Sequence, residues 1–112
     1  MKIAVFGLGY VGCVTAAQLA KTGHVVTGVD VNQDKVRMIN GGRSPIIEPG
    51  LGDLISVSVQ ARRLAATGSA REAVAQSEAA LVCVGTPSRA NGGIDTRSLQ
   101  RVSREIGRAL SE

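Results

Sequence analysis

Aromatic residues are almost missing from this chain of 112 residues, which carries Phe6, Tyr10 and no tryptophan. A core must then be assembled from Val, Ile, Leu and Ala, small aliphatic side chains that suit strands covered by helices on both faces. The same scarcity removes the interleaved stacking platform that single-stranded nucleic acid requires. Cysteine is equally sparse. Cys13 and Cys83 lie far apart, without CxxC or zinc-finger spacing and each within an apolar run. That pattern excludes a metal knuckle and reads as two buried free thiols in a reducing cytoplasm. Long apolar runs are absent too, and none approaches the ~20 residues of a membrane-spanning helix. Met1-Lys2 followed by mostly apolar residues up to Ala20 looks superficially like a secretory leader, but Gly7, Gly9 and Gly12 weaken its helix and Gln18 interrupts it.

What is present is the mixture of an ordinary soluble domain, 44% apolar and 20% charged. A chain of this length forms one domain at most and buries about two-thirds of its unfolded surface. The net charge of +4 comes mainly from arginine. Arg97, Arg101, Arg104 and Arg108 recur at helical spacing, with Leu99, Val102, Ile106 and Leu110 opposite them. This is an amphipathic helix with a basic, solvated outer face. With no reading-helix motif either, neither nucleic acid nor a membrane is expected as a partner.

Strand and helix signals alternate along the chain. Residues 3–6 form a short β-rich run, and 10–22 read as a helix whose sheet side carries Gly12, Ala16, Leu19 and Gly23. The run "VVTGVD" (25–30) is a second strand, and 34–40 a second helix with Val36 and Ile39 inward, stopped by Gly41-Gly42. In "RSPIIEPGLGDL" (43–54) two prolines and two glycines force an irregular excursion. A helix over 51–62, a short strand in "RLAAT" (63–67), and a capping box from Ser69 to Glu72 opening another helix follow. "AALVCV" (79–84) reads as a buried strand, "GTPSRANGGID" as a loop, and Asp95 as the cap of the final helix. The order β-α-β-α-(α)-β-α-β-α predicts an α/β fold, a Rossmann-type parallel sheet with helices on both faces. Four strands make little more than half of the six-stranded doubly wound sheet, so the chain reads as truncated.

The stretch "VFGLGYVG" (5–12) carries the chemistry. Three glycines cost backbone entropy and pack nothing, so their spacing needs a reason. They follow a predicted strand, open a helix, and precede Asp30 at the end of the next strand, which is the context of a dinucleotide fingerprint. Gly7 permits the tight turn, Gly9 lets backbone approach a diphosphate, and Gly12 allows close helix–strand contact. The amides around Tyr10 and Val11 face that anion with the positive end of the helix dipole. A carboxylate at Asp30 accepts from the ribose hydroxyls and repels a 2′-phosphate, favouring NAD over NADP; its alternative role is to cap the next helix. Lys35 either reaches the adenosine ribose or is simply solvated. Gly85-Thr86-Pro87 sits where the strand order reverses and ligands bind. There Thr86 either hydrogen-bonds the cofactor or belongs to an ordinary Thr-Pro turn.

Taken together, "FGLGYVG", "GHVVTGVDVNQDKV", "GRSPIIEPGL" and "VCVGTPSRANGGID" resemble the N-terminal domain of the UDP-glucose/GDP-mannose dehydrogenase family over essentially the whole chain. The two later motifs are more specific than the glycines, and they resemble the GDP-mannose members more than the UDP-glucose members. Gly52 and "ISVSVQARRL" fit the family pattern less well. The resemblance implies a four-electron oxidation of a sugar-nucleotide C6 alcohol to a carboxylate with two NAD, through a thiohemiacetal and a thioester on a cysteine in a later glycine-rich motif. It also implies that Tyr10, Val11, Asp30, Lys35 and Thr86 contact the cofactor. Neither Cys13 nor Cys83 matches the nucleophile, and the nucleophile motif and sugar-nucleotide domain that the resemblance implies are not expected within these 112 residues. The chain is therefore expected to bind NAD without oxidising a sugar nucleotide unaided, the substrate and a homo-oligomeric assembly belonging to a full-length protein. A non-catalytic NAD-sensing module shares the pattern up to about residue 40, but is not expected to carry the proline-rich excursion or the "GTPSRANGG" loop.

Overall fold

The computed structural model describes residues 1–83. Within them the elements run β1 (Lys2–Phe6), α1 (Tyr10–Lys21), β2 (Val25–Val29), α2 (Gln33–Asn40), α3 (Leu51–Gln60), β3 (Leu64–Thr67), α4 (Ala70–Gln76) and β4 (Ala79–Val82). The strands form one sheet in the order β3-β2-β1-β4, and every adjacent pair is parallel. This is the order of the first half of a doubly wound sheet, with its reversal between β1 and β4.

Alternation along β1 divides the interior. Ile3 and Val5 point to one face, where they join Leu8, Cys13, Ala16, Ala17, Ala20, Val36, Ile39, Leu51 and Ile55 from α1, α2, α3 and the first turn. Ala4 and Phe6 point to the other face, against Ala70 and Ala73 of α4. Each fully buried large aliphatic or aromatic side chain contributes about 1.5–3 kcal/mol relative to exposure, so the first face carries most of the cohesion.

The ends of the elements have local causes. Helices α1, α2 and α3 stop alike: the N–H of His24, Arg43 and Arg63 returns to Leu19, Met38 and Ser58. Positive φ falls at Gly23 (104°), Gly42 (77°) and Arg62 (60°) respectively. These are Schellman ends, the last one without the usual glycine. Asn32 caps α2 by accepting from the Asp34 and Lys35 amides, so the cap is Asn32 rather than Asp30. Ser69 caps α4 through the Glu72 amide, but Glu72 turns its carboxylate to the Thr67 hydroxyl instead of closing the capping box. At the sheet edge, the Asn40 side chain bonds both the N–H (2.8 Å) and the C=O (2.9 Å) of Ala66 in β3, occupying backbone groups that an added strand would use.

Three further sequence expectations change. The inner side of α1 carries Gly12, Cys13, Ala16, Ala17 and Ala20, whereas Leu19 is half-buried and Gly23 lies in the exposed turn. Strand β4 is exposed throughout rather than buried, because among the described residues it pairs only with β1. Cys83 follows β4 instead of lying inside it and is half-buried. The loop with Gly85, Thr86 and Pro87, and the helix expected after Asp95, lie outside the described residues.

Candidate dinucleotide site at the first turn

The site grows from the way β1 hands over to α1. Gly7 leaves the strand at φ 96°, in the left-handed region that glycine adopts without strain. Its N–H donates to the Val29 carbonyl at 2.8 Å, which fastens the turn to the end of β2. Gly12 must lack a side chain for an internal reason, since a Cβ there would stand 1.7 Å from the Gly7 carbonyl oxygen. Gly9 differs: a Cβ on it would meet nothing within 4 Å among the described residues. Their packing leaves that space free, directly beside the start of α1.

Gly9 is the N-cap of α1, and among the described residues no side chain caps this helix start. The first amides of a helix lack intrahelical partners and carry its partial positive charge, so those of Tyr10 and Val11 are available to an anion. Both residues are well exposed, Tyr10 by 54% and Val11 by 62%.

Asp30 stands just past the end of β2, and backbone holds its carboxylate in place. One oxygen accepts from the Leu8 N–H and the other from the Asn32 N–H, each at 2.8 Å. A carboxylate offers about four lone-pair sites, so each oxygen can accept again, as a ribose diol would require. Leu8 was not singled out in the sequence, yet it links turn and acid. Its side chain is fully buried, and a Cβ at Gly28 would come within 2.7 Å of it. A glycine inside an otherwise β-branched strand is the signal that could have revealed this close approach.

Lys35 lies half-buried in the first turn of α2, just after the Asn32 cap. Its positive charge and the negative charge of Asp30 both act on the Cys13 thiol. Cys13 donates its S–H to the Leu8 carbonyl at 3.2 Å. Burial pushes its pKa up to about 11, with Lys35 opposing and Asp30 reinforcing the shift. The Cβ of Cys83 would lie 3.6 Å from a Cβ on Gly12, and burial raises the Cys83 pKa as well. Neither is an activated thiolate. Thus the structure brings Gly7, Gly9, Gly12, Tyr10, Val11, Asp30 and Lys35 to one end of the sheet, while Thr86 lies outside the described residues.

The described residues hold no cluster of His, Cys, Asp or Glu suited to a metal ion, and no helix among them is long and apolar enough to cross a membrane. Over residues 1–112 the sequence matches the model of the UDP-glucose/GDP-mannose dehydrogenase family, NAD binding domain. The chain belongs to this family.

Its relatives within the family include the GDP-mannose 6-dehydrogenase of Azotobacter vinelandii, 47% identical over 100% of this chain and 26% of the relative. A UDP-glucose 6-dehydrogenase of Pseudomonas aeruginosa is 36% identical over 100% of this chain and 25% of its own length. Among solved structures, a ternary complex of GDP-mannose dehydrogenase from Pseudomonas aeruginosa superposes with a TM-score of 0.98 at 48% identity, over 100% of this chain and 26% of that one. The chain thus spans about a quarter of the length of these dehydrogenases. As a Rossmann-like NAD-binding domain of the family, it has the cofactor class that Gly9 and Asp30 suit.

Proposed function

We propose that residues 1–112 are the N-terminal, NAD-holding portion of a sugar-nucleotide 6-dehydrogenase that converts the C6 alcohol of GDP-mannose to the uronate. The single observation that carries this reading is the open backbone at Gly9, set between the free start of α1 and a carboxylate already fixed at Asp30. The diphosphate would lie across the Gly9, Tyr10 and Val11 amides, where the helix start favours negative charge. Asp30 would accept from the ribose hydroxyls of the adenosine half, with Lys35 beside it, and Thr86, which lies outside the described residues, would add a further contact. Bound there, the nicotinamide supplies the hydride acceptor. Going from alcohol to carboxylate removes two hydrides, hence two NAD per substrate. The cysteine nucleophile and the sugar-nucleotide pocket are assigned to other parts of a longer enzyme, since both thiols here are held protonated by burial. GDP-mannose is preferred because identity to the GDP-mannose enzyme (47%) exceeds that to the UDP-glucose enzyme (36%).

Fluorescence titration of the chain with NADH and NADPH tests the reading. NADH is expected to saturate the site and NADPH to bind at least about tenfold more weakly, because Asp30 repels a 2′-phosphate. Gly9→Ala is expected to unfold at the same temperature as the wild type, since its Cβ meets nothing among the described residues. Binding should nevertheless fall by more than about tenfold, because the methyl fills the diphosphate's space. Equal NADH affinity of Gly9→Ala and wild type would remove the argument.

A further inference from the structure

The bend from β2 into α2 is stitched by a continuous set of hydrogen bonds. The Asp30 N–H donates to the Thr67 carbonyl at 3.2 Å, holding the strand end against β3. The Asp30 carboxylate is held from two sides, by the Leu8 N–H of the glycine turn and by the Asn32 N–H. Asn32 is in turn held by the helix it opens. Its side-chain oxygen accepts from the Asp34 N–H at 3.0 Å and the Lys35 N–H at 3.3 Å. Its carbonyl accepts from the Val36 N–H at 3.2 Å. One residue therefore bonds both the acid and the start of α2.

We propose that Asn32 is a positioning and specificity-determining residue for the dinucleotide: by capping α2 it fixes the amide that orients the Asp30 carboxylate. The proposal rests on the NAD reading above and adds a residue outside the glycine fingerprint and the acid. An unrestrained aspartate at a strand end samples several rotamers, and a ribose diol must select one of them on binding. Two backbone donors at 2.8 Å, one on each oxygen, make that selection before a ligand arrives. The two donors are anchored differently. Leu8 is fastened by a fully buried side chain, whereas Asn32 is exposed and is fastened by its bonds to α2. Without the side-chain oxygen the first turn of α2 loses its cap, the residue 32 amide loosens, and the carboxylate is free to turn away. A fixed carboxylate accepts from the ribose and repels a 2′-phosphate; a loosened one does less of each. Loss of the cap should therefore weaken NADH and spare NADPH, which a general loss of helix stability would not do.

Fluorescence titrations of the wild-type chain, Asn32→Ala and Asn32→Ser with NADH and NADPH test the role. In Asn32→Ala, NADH affinity is expected to weaken about three- to tenfold, the effect of one lost hydrogen bond, with NADPH affinity within about twofold of wild type. Asn32→Ser keeps a capping oxygen and should restore both affinity and preference. Glycine is a far milder loss than alanine at a cap position, so Asn32→Gly supplies the same reading if the alanine variant fails to fold. On an Asp30→Ala background, Asn32→Ala should weaken NADH binding no further. Equal weakening of NADH and NADPH, a serine variant that behaves as alanine does, or an effect that persists in full without Asp30 overturns the positioning role and leaves a structural cap. Unchanged affinity for both dinucleotides in Asn32→Ala overturns the positioning role alone. A wild-type chain that binds neither dinucleotide overturns the NAD reading together with it.

Discussion

The turn at residues 7–12 and the excursion before α3 are both irregular and glycine-bearing, but opposite constraints shape them. In the turn almost every residue is dictated from inside. Gly12 faces the Gly7 carbonyl at a distance no Cβ tolerates, Leu8 fills the notch left by Gly28, and Asp30 holds the Leu8 amide. Gly9 is the exception, and its freedom is what the ligand would use. In the excursion the protein asks for little. Ser44 folds the chain back by donating to the Ile46 carbonyl (2.6 Å) and accepting from its amide (3.1 Å), and Gly50 supplies a left-handed residue at φ 79°. Ile47, by contrast, is fully exposed at 103%, and a Cβ at Gly52 would meet nothing within 4 Å among the described residues. Tight internal demand therefore marks the part of the molecule that must keep a fixed shape, and its absence marks residues that the described part of this domain does not require.

The sharpest way to break the comparison is Gly12→Ala. A methyl 1.7 Å from a backbone oxygen cannot be relieved by a side-chain rotation, so α1 must move away from β1. The expected loss is at least about 3 kcal/mol of stability, in the upper part of the range for single substitutions, together with loss of NADH binding. Urea denaturation measures the first and fluorescence titration the second. A Gly12→Ala protein with wild-type midpoint would show that the turn is far softer than its geometry implies.

The thiol beneath the turn gives a second, smaller test. Cys13 keeps its proton in the folded chain up to about 11, while in the unfolded chain it ionises near its ordinary value of 9.0. Above pH 9.0 the unfolded state therefore binds fewer protons than the folded one, so this contribution to stability is complete below pH 9 and is lost as pH rises toward 11. A shift of this size corresponds to on the order of 2 kcal/mol. Measured as the difference in pH dependence between wild type and Cys13→Ala, the alkaline loss should shrink in the variant. Identical alkaline slopes in the two proteins would mean that Cys13 is hydrated rather than buried.

How far the sequence revealed all this follows the same division. The succession of strands and helices, the parallel order and the convergence of Gly7, Gly9, Gly12 and Asp30 were readable, because they depend on short-range patterns: β-branched runs, glycine spacing, an acid at a strand end. The inner face of α1 was rotated in the reading, since a helix of Ala, Gly and Cys offers little contrast between its sides, and Leu19 drew the face toward itself. The burial of β4 was overstated because an apolar run records what a strand tolerates, not how many neighbours it has. Asn40 against Ala66 could not be read at all, and Leu8 against Gly28 only as far as the lone glycine in β2 hinted at it. Each joins residues more than fifteen positions apart through a side chain that is unremarkable where it stands in the sequence.

Gly52→Ala tests the excursion's side of the contrast, with the smallest effect and the opposite sign. Gly52 lies in the first turn of α3, in open space, at a φ that is not positive. Glycine inside a helix costs about 0.5–1 kcal/mol relative to alanine, and here no steric demand offsets that cost. The variant should therefore unfold at a higher denaturant concentration by about that amount, with the slope of the transition unchanged and NADH affinity within twofold of wild type. A destabilised Gly52→Ala would mean that the chain needs a bare backbone at this position, and the excursion would then share the internal constraint that sets the glycine turn apart.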